Sequence, residues 1–158
     1  MIQSMSVEQN SELENVLTGL LVKAEASSVF LCDRGGNILA QQATQGYRSE
    51  DNIAALASGS FYATRVLAQM LGESEFRHVI HQGQDTSMFM QMLDSDMMLL
   101  VVFGRESNPG LVKLYCNEVC HEIDRLITRA QNAPADASTV NQTFELDATR
   151  MPFGRIKT

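Results

Sequence analysis

The sequence predicts an α+β fold built on one five-stranded antiparallel sheet with helices covering it on either side. A tight turn at Arg34-Gly35-Gly36-Asn37 joins two β-rich segments, Ser28–Asp33 and Ile38–Ala43, which indicates a hairpin. Three further β-rich segments are joined by links too short for helical crossovers, so they form a meander. Three stretches of helical periodicity complete the element order α-β-β-α-β-β-β-α.

The first helix is expected over Val7–Glu25. Either Ser6 or Ser11 can cap it, and Ser11 with Glu14 matches a capping-box pattern. Five apolar residues recur at helical spacing and form one stripe: Leu13, Val16, Leu17, Leu20 and Leu21.

The second helix is expected over Asp51–Leu71, since acidic residues suit a helix start and Gly72 is a natural C-cap. At 100° per residue, one apolar side is expected to be the core face. That side contains Ile53, Leu56, Ala63, Leu67 and Leu71. The opposite side contains Ser58, Tyr62, Arg65 and Gln69, with Ala55 beside them and Gly59 and Val66 between.

This second helix is richer in small residues than a helix that only covers a core. Ala55, Gly59 and Ala63 are spaced four apart and therefore stack along one side. Small residues in such a row let another backbone approach closely. The pattern indicates a helix–helix contact with a second chain, and hence a function by protein contact.

The meander is expected over Arg77–Gln82, Ser87–Leu93 and Met97–Phe103, with turns at Gly83–Thr86 and Asp94–Asp96. The last of these strands is almost wholly apolar, which predicts a central position in the sheet.

The third helix begins with Asn108 as its cap and Pro109 at its first position, and it is expected to fade near Gln131. The domain is therefore expected over residues 7–131, followed by a tail over 132–158 that begins as a linker. Large apolar residues are unusual in such tails, so residues 144–156 are either a docking segment or part of an inert tail. Those apolar residues are Phe144, Leu146, Met151, Phe153 and Ile156.

Composition excludes several classes of function. The 158 residues contain 12 basic and 19 acidic side chains, so the formal net charge is −7. An acidic chain is a poor ligand for nucleic acid or for an anionic membrane. No apolar run approaches the ~20 residues that span a bilayer, and no secretory signal is evident, so a cytoplasmic location is expected. Three cysteines, an odd number, fit reduced thiols.

The chain shows no motif for chemistry of its own. Phosphate-binding loops, dinucleotide fingerprints and nucleophile elbows are missing, so no catalytic residue and no cofactor are expected. His78 and His81 are three apart on a strand and point to opposite faces, which disfavours a shared metal. Cys116 and Cys120 share a helix face, but a fourth zinc ligand is lacking, so they are expected to be buried thiols.

Three phrases of this sequence resemble the roadblock (dynein light-chain) family. They are ASSVFLCDRGGNIL at Ala26–Leu39, LASGSFYATRVLAQMLG at Leu56–Gly72 and LLVVFGRESNPGLVKL at Leu99–Leu114. The resemblance covers roughly Val7–Gln131 and is carried mostly by packing motifs. The bacterial MglB-type members of this family regulate a Ras-like GTPase.

The resemblance implies a sheet with helix 2 on one face and helices 1 and 3 on the other. It also implies a dimer in which helix 2 and the third strand meet across a two-fold axis. The dimer residues are then Ala63, Arg77, His78, Val79, Ile80 and His81. The residues facing a partner are then Ala55, Ser58, Gly59, Tyr62, Arg65, Val66 and Gln69.

The function expected from this resemblance is a homodimeric regulator of a small Ras-like GTPase, of the activating type, without an active site of its own. Arg65 is the only basic residue of helix 2. Its two alternative roles are an arginine finger and a surface or dimer contact. The alternative is a non-catalytic scaffold of the same fold that localises a GTPase or another partner. A small-molecule sensor is a third interpretation, and it requires an internal cavity.

Overall fold

The computed structural model describes residues 5–133, and the predicted order of helices and strands is confirmed. The elements are α1 (Val7–Lys23), β1 (Ala26–Cys32), β2 (Ile38–Ala43), α2 (Glu50–Met70), β3 (His78–Gln82), β4 (Ser87–Met92), β5 (Met98–Phe103) and α3 (Pro109–Gln131). Within residues 5–133, no helix is both long and apolar enough to cross a membrane. The predicted docking segment at 144–156 lies outside the described residues.

The five strands form one antiparallel sheet in the order β2-β1-β5-β4-β3. Strand β5 lies in the centre between β1 and β4, and every one of its residues is buried, as its apolar sequence predicts. Strands β2 and β3 are the two edges. An edge strand keeps a row of backbone N–H and C=O groups without a partner in the sheet.

Each face of the sheet is covered by its own hydrophobic core, because successive side chains of a strand point to opposite faces. Helices α1 and α3 bury one face, where Leu17, Phe89 and Ile123 pack together. Helix α2 buries the other face, where Phe61 packs with Phe30. The expected placement of α2 opposite α1 and α3 is therefore confirmed.

Helix α1 begins with a different cap from the one indicated by Ser11 and Glu14. The Ser6 hydroxyl accepts the Gln9 N–H at 3.2 Å, and the Gln9 side chain accepts the Ser6 N–H at 2.9 Å. The helix starts at Val7, so Ser11 already lies within it. A capping side chain accepts a hydrogen bond from an unpaired backbone N–H of the first helical turn, and Ser11 lies beyond the start of that turn. The expected cap of α3 is confirmed, since the Asn108 side chain accepts the Leu111 N–H at 3.0 Å.

The predicted core face of α2 is wrong except at Ile53, which packs against the core under α2. Leu56, Leu67 and Leu71 are 75%, 54% and 73% exposed, and Ala63 is exposed as well. The buried residues of α2 are Ala54, Ala57, Ser58, Phe61 and Ala68. Alanines and one phenylalanine let the helix lie close to the sheet, and the leucines are left on its outside. Periodicity alone could not separate the faces, because both are apolar.

The β1–β2 turn packs directly against α2. Gly36 has a φ of +81°, and a Cβ atom there would lie 2.4 Å from the Ala55 Cα. The Asp33 carboxylate accepts the N–H groups of Gly35 and Asn37, both at 2.9 Å, which fixes the turn. Only glycine permits both this backbone conformation and this close approach.

Candidate contact surface on α2 and β3

The side of α2 that faces away from the sheet is apolar along almost its whole length. We call it the outer face of α2. It consists of Ala55, Leu56, Gly59, Tyr62, Ala63, Val66, Leu67 and Met70, all exposed. None of these residues carries a charge. Contiguous exposed apolar patches on a protein surface mark sites of protein contact.

The middle of the outer face is shallow. Apart from its chain neighbours and the adjacent backbone of its own helix, a Cβ atom added at Gly59 would have no described atom of this chain within 4 Å. Glycine is therefore not required there by packing within the described protomer, although it costs helix stability. The predicted row of Ala55, Gly59 and Ala63 lies on this exposed surface, where a second backbone has access to it.

Ser58 does not belong to the outer face, so its predicted orientation toward a partner is wrong. Its side chain is buried, and its hydroxyl donates a hydrogen bond to the Arg34 carbonyl oxygen. The residue connects α2 to the hairpin turn. At 100° per residue Ser58 lies between the outer face and the core face, and the turn covers that side of the helix.

Arg65 and Gln69 border the outer face on the side of Tyr62. Gln69 is exposed, whereas the Arg65 side chain is 26% exposed and its Nε lies 3.8 Å from the Glu75 carboxylate. Tyr62 is 68% exposed and presents a large amphipathic ring of the kind that anchors interfaces.

Five of the predicted dimer residues, Arg77 to His81, lie on strand β3 or directly before it. This strand forms a free edge of the sheet. The strand begins at His78, so Arg77 lies one residue before it. Val79 packs into the core under α2, and Ile80 packs into the core under α1 and α3. Arg77 and His81 are exposed. Among the strands that the structure describes, only β4 pairs with β3, and the outer edge of β3 remains open.

His78 points to the side of α1 and α3. Its ring stacks on the buried Phe89 ring with centroids 5.4 Å apart. Desolvation, with a contribution from the Lys113 charge, lowers the pKa of His78 below its ordinary value. The ring thus favours its neutral form, which suits an apolar stacking contact rather than an ionic one.

The family model for the Roadblock/LC7 domain matches residues 12–103. This chain belongs to the Roadblock/LC7 family. The match includes α2 and β3 entirely. A comparison with curated protein sequences finds no match.

This roadblock domain is similar in structure to several MglB proteins. One, an MglB with a tetrameric arrangement, has a TM-score of 0.76 at 25% identity, covering 80% of this chain and 96% of that one. The gliding protein MglB of Thermus thermophilus has a TM-score of 0.75 at 26% identity, and the match covers 80% of this chain and 96% of that one. Myxococcus xanthus MglB has a TM-score of 0.70 at 27% identity, and the match covers 75% of this chain and 97% of that one.

The three cysteines of this chain are buried, as predicted for Cys116 and Cys120. Burial raises the pKa of Cys32 and of Cys120 to about 12, and it raises the pKa of Cys116 still further. Such thiols stay protonated and react slowly. In the described part of the chain, no group of three or more His, Cys, Asp or Glu side chains is placed to hold a metal ion.

The sequence alone did not reveal the larger apolar part of this contact surface. The helical period predicts Leu56 and Leu67 on the core face, and it gives no prediction for Met70. One signal was present in the sequence: Leu56, Ala63 and Leu67 recur on a side of the helix distinct from Ala54, Phe61 and Ala68. Two apolar sides on one helix indicate that one of them has a partner outside the protomer.

Proposed function

We propose that this roadblock domain is a homodimeric regulator of a small Ras-like GTPase, of the activating type, and that it acts by protein contact through paired α2 helices. The observation that carries this proposal is the uncharged, apolar outer face of α2. A surface of this kind fits a protein partner, and the chain shows no motif for catalysis of its own.

The likeness to MglB supports the same proposal. The resemblance to MglB-type roadblock proteins implies regulation of a Ras-like GTPase, and this chain covers nearly the whole length of three MglB structures. The regulated step is GTP hydrolysis by the partner. The roadblock dimer would act by repositioning catalytic groups that the GTPase already carries.

The proposed dimer joins two copies along β3 and along α2. Pairing of two β3 edges would satisfy the open backbone groups of both strands and extend the sheet across the two-fold axis. Ala63, with Arg77, His78, Val79, Ile80 and His81, would lie at this junction. The two outer faces would then be adjacent and form one platform.

The proposed GTPase contact uses the exposed part of the platform on the side of Tyr62. Its residues are Ala55, Gly59, Tyr62, Arg65, Val66 and Gln69. Ala55 and Gly59 would let the GTPase backbone approach, and Tyr62 would anchor it. Arg65 is half-buried beside Glu75, which fits a role in contact better than insertion into a distant active site.

Two measurements on one sample test this function. Light scattering gives the mass of the protein alone and mixed with the small GTPase encoded nearest to it, loaded with a GTP analogue or with GDP. Single-turnover GTP hydrolysis is then followed with and without the roadblock protein. We expect a dimer that gains mass in the GTP state and accelerates hydrolysis.

The other outcomes have distinct meanings. Binding without faster hydrolysis would reduce the protein to a scaffold. A dimer that binds neither nucleotide state of the GTPase would contradict the GTPase proposal, and a monomer would contradict the proposed platform.

A further inference from the structure

A groove of about 610 Å³ runs between α1 and α3 and is lined by residues of these two helices. Its floor is apolar and consists of Val16 and Leu20 from α1 and Tyr115 and Val119 from α3. Leu20 is buried, whereas the other three side chains are only half-buried. The described part of the chain therefore leaves this apolar floor partly open.

The two ends of the groove are distinct, because α1 and α3 run antiparallel. At one end, the Arg129 guanidinium lies 2.7 Å from the Glu12 carboxylate. At the other end, the Lys23 ammonium lies 5.9 Å from the centre of the Tyr115 ring. The groove is about 21 Å long between positions 115 and 129, at about 1.5 Å per helical residue. Helix α3 ends at Gln131, so the following chain starts at the Glu12 end.

Cationic side chains outnumber acidic ones along the groove. Lys23, Arg125 and Arg129 line it together with Glu12 and Glu122. Glu12 is paired with Arg129, and Glu122 lies 3.8 Å from Arg125. None of the ion pairs among residues 5–133 includes Lys23. The end of the groove at Lys23 thus offers a positive charge beside an apolar floor, which suits an acidic and apolar segment.

The tail of this chain contains a segment of that kind. Phe144-Glu145-Leu146-Asp147 alternates apolar and acidic residues. In an extended segment successive side chains point to opposite sides, so the apolar pair and the acidic pair separate. The 12 residues 132–143 connect this segment to α3 and can span up to about 40 Å. That reach exceeds the length of the groove.

We infer that residues 144–147 dock in the groove between α1 and α3 of the same chain. Phe144 and Leu146 cover its apolar floor. A chain that enters from the Glu12 end brings Glu145 toward Arg125 and Asp147 toward Lys23, in the order in which these cations lie along the groove.

Gly19 of α1 leaves room for the docked segment. It lines the groove, and a Cβ atom added there would meet no described atom within 4 Å beyond its chain neighbours and the adjacent backbone of its own helix. The groove belongs to the helices on one face of the sheet, and α2 lies on the other face. A docked tail therefore leaves the outer face of α2 free for a partner.

Cysteine cross-linking of the full-length protein tests the docking. The double variant Asn15→Cys/Thr143→Cys places one thiol on the exposed rim of the groove and one directly before the docked segment. It is treated with a short bis-maleimide, and the linked peptides are identified by mass spectrometry. The native cysteines are buried and do not compete. We expect an internal link in a chain that stays monomeric on a denaturing gel.

The matched control is Val7→Cys/Thr143→Cys. Val7 is exposed on the same helix and lies nearer to the end of the groove where the tail begins. A tail that does not dock would reach position 7 at least as readily as position 15. We expect the link to position 15 to form about tenfold faster or more.

Proteolysis of the tail gives a second measurement. An arginine-specific protease cuts after Arg150, and the rate of cutting follows the population of undocked tail. Phe144→Asp should raise this rate by about tenfold or more, since a carboxylate would meet the apolar floor. Lys23→Glu should raise it by about threefold or more, and Lys23→Glu/Asp147→Lys should restore the original rate. Lys113→Glu, an exposed position of α3 that does not line the groove, should leave the rate unchanged.

Three results would overturn the inference. Equal rates of linking to positions 7 and 15 would show that the tail does not occupy the groove. A covalent dimer in place of the internal link would assign the groove to the tail of a second copy. Equal rates of cutting after Arg150 in Phe144→Asp and the unmodified protein would exclude the apolar contact. None of these results bears on the proposed GTPase contact, which is measured separately.

Discussion

The backbone of Gly36 lies so close to Ala55 that a Cβ atom at position 36 would be 2.4 Å from the Ala55 Cα and 2.8 Å from the Ala54 carbonyl oxygen. This contact and the hydrogen bond from Ser58 to the Arg34 carbonyl oxygen hold α2 against the β1–β2 turn. The helix is therefore fixed to the sheet from one side, and its outer face keeps a defined orientation.

Gly36→Ala is predicted to destabilise the protein, and Gly59→Ala to stabilise it. The first change combines a positive φ with a backbone clash and should cost about 2 kcal/mol or more. The second replaces a helical glycine in open space and should add about 0.5–1 kcal/mol. Urea unfolding of both variants gives the free energies. Equal stability of Gly36→Ala and the unmodified protein would contradict the close approach.

Gly59→Arg is predicted to abolish partner binding while the protein stays folded. The side chain has room in the protomer, but it places a large charge in the middle of the outer face. Binding to the GTPase is measured by light scattering, and folding by circular dichroism. Gly19→Arg on α1 is the matched control, since an added Cβ at position 19 also meets no described atom within 4 Å beyond its chain neighbours and the adjacent backbone of its own helix. Normal binding by folded Gly59→Arg would show that this face is not the interface.

Ser58→Ala is predicted to reduce stability and leave binding unchanged, whereas Tyr62→Ala is predicted to reduce binding and leave stability unchanged. Loss of the Ser58 hydroxyl leaves the Arg34 carbonyl without that partner and should cost about 1 kcal/mol of stability, with little change in GTPase affinity. Loss of the exposed Tyr62 ring should weaken binding by about tenfold or more with little change in stability. Thermal unfolding and a binding titration on each variant measure the two quantities. A binding loss confined to Ser58→Ala would reverse our assignment of the two residues.

The stability of the fold is predicted to fall as the pH rises above about 9. Burial raises the pKa of Cys32 and Cys120 from 9.0 to about 12. Between these values the unfolded chain loses thiol protons that the folded chain keeps, so deprotonation favours unfolding. Each thiol should contribute a slope of up to about 1.4 kcal/mol per pH unit. Urea unfolding at about pH 8 and about pH 10 measures the decrease, and Cys32→Ala should make it smaller.

Removal of residues 132–158 is predicted to leave the dimer intact. The expected domain ends with α3 at Gln131, and both α2 and β3 lie well inside it. Light scattering on the truncated protein gives its mass. Loss of the dimer would show that the apolar segment 144–156 docks on the fold and supports the interface.

The sequence by itself determined the element order and the architecture of this protein. A turn with two glycines, short links between three strands and helices with caps leave few other arrangements, because local backbone chemistry decides each of these features. The all-apolar segment ending at Phe103 likewise determined the central strand, since only a strand buried on both faces tolerates it.

Only the tertiary structure decided which side of α2 is buried. Both sides are apolar, and the choice depends on how closely the helix approaches the sheet. Ala54, Ala57 and Ala68 allow that approach, whereas Leu56 and Leu67 would hold the helix away. The same packing turned Ser58 inward toward Arg34. Local periodicity reports that a residue is apolar, but the surface that covers it is a property of the whole fold and of its partners.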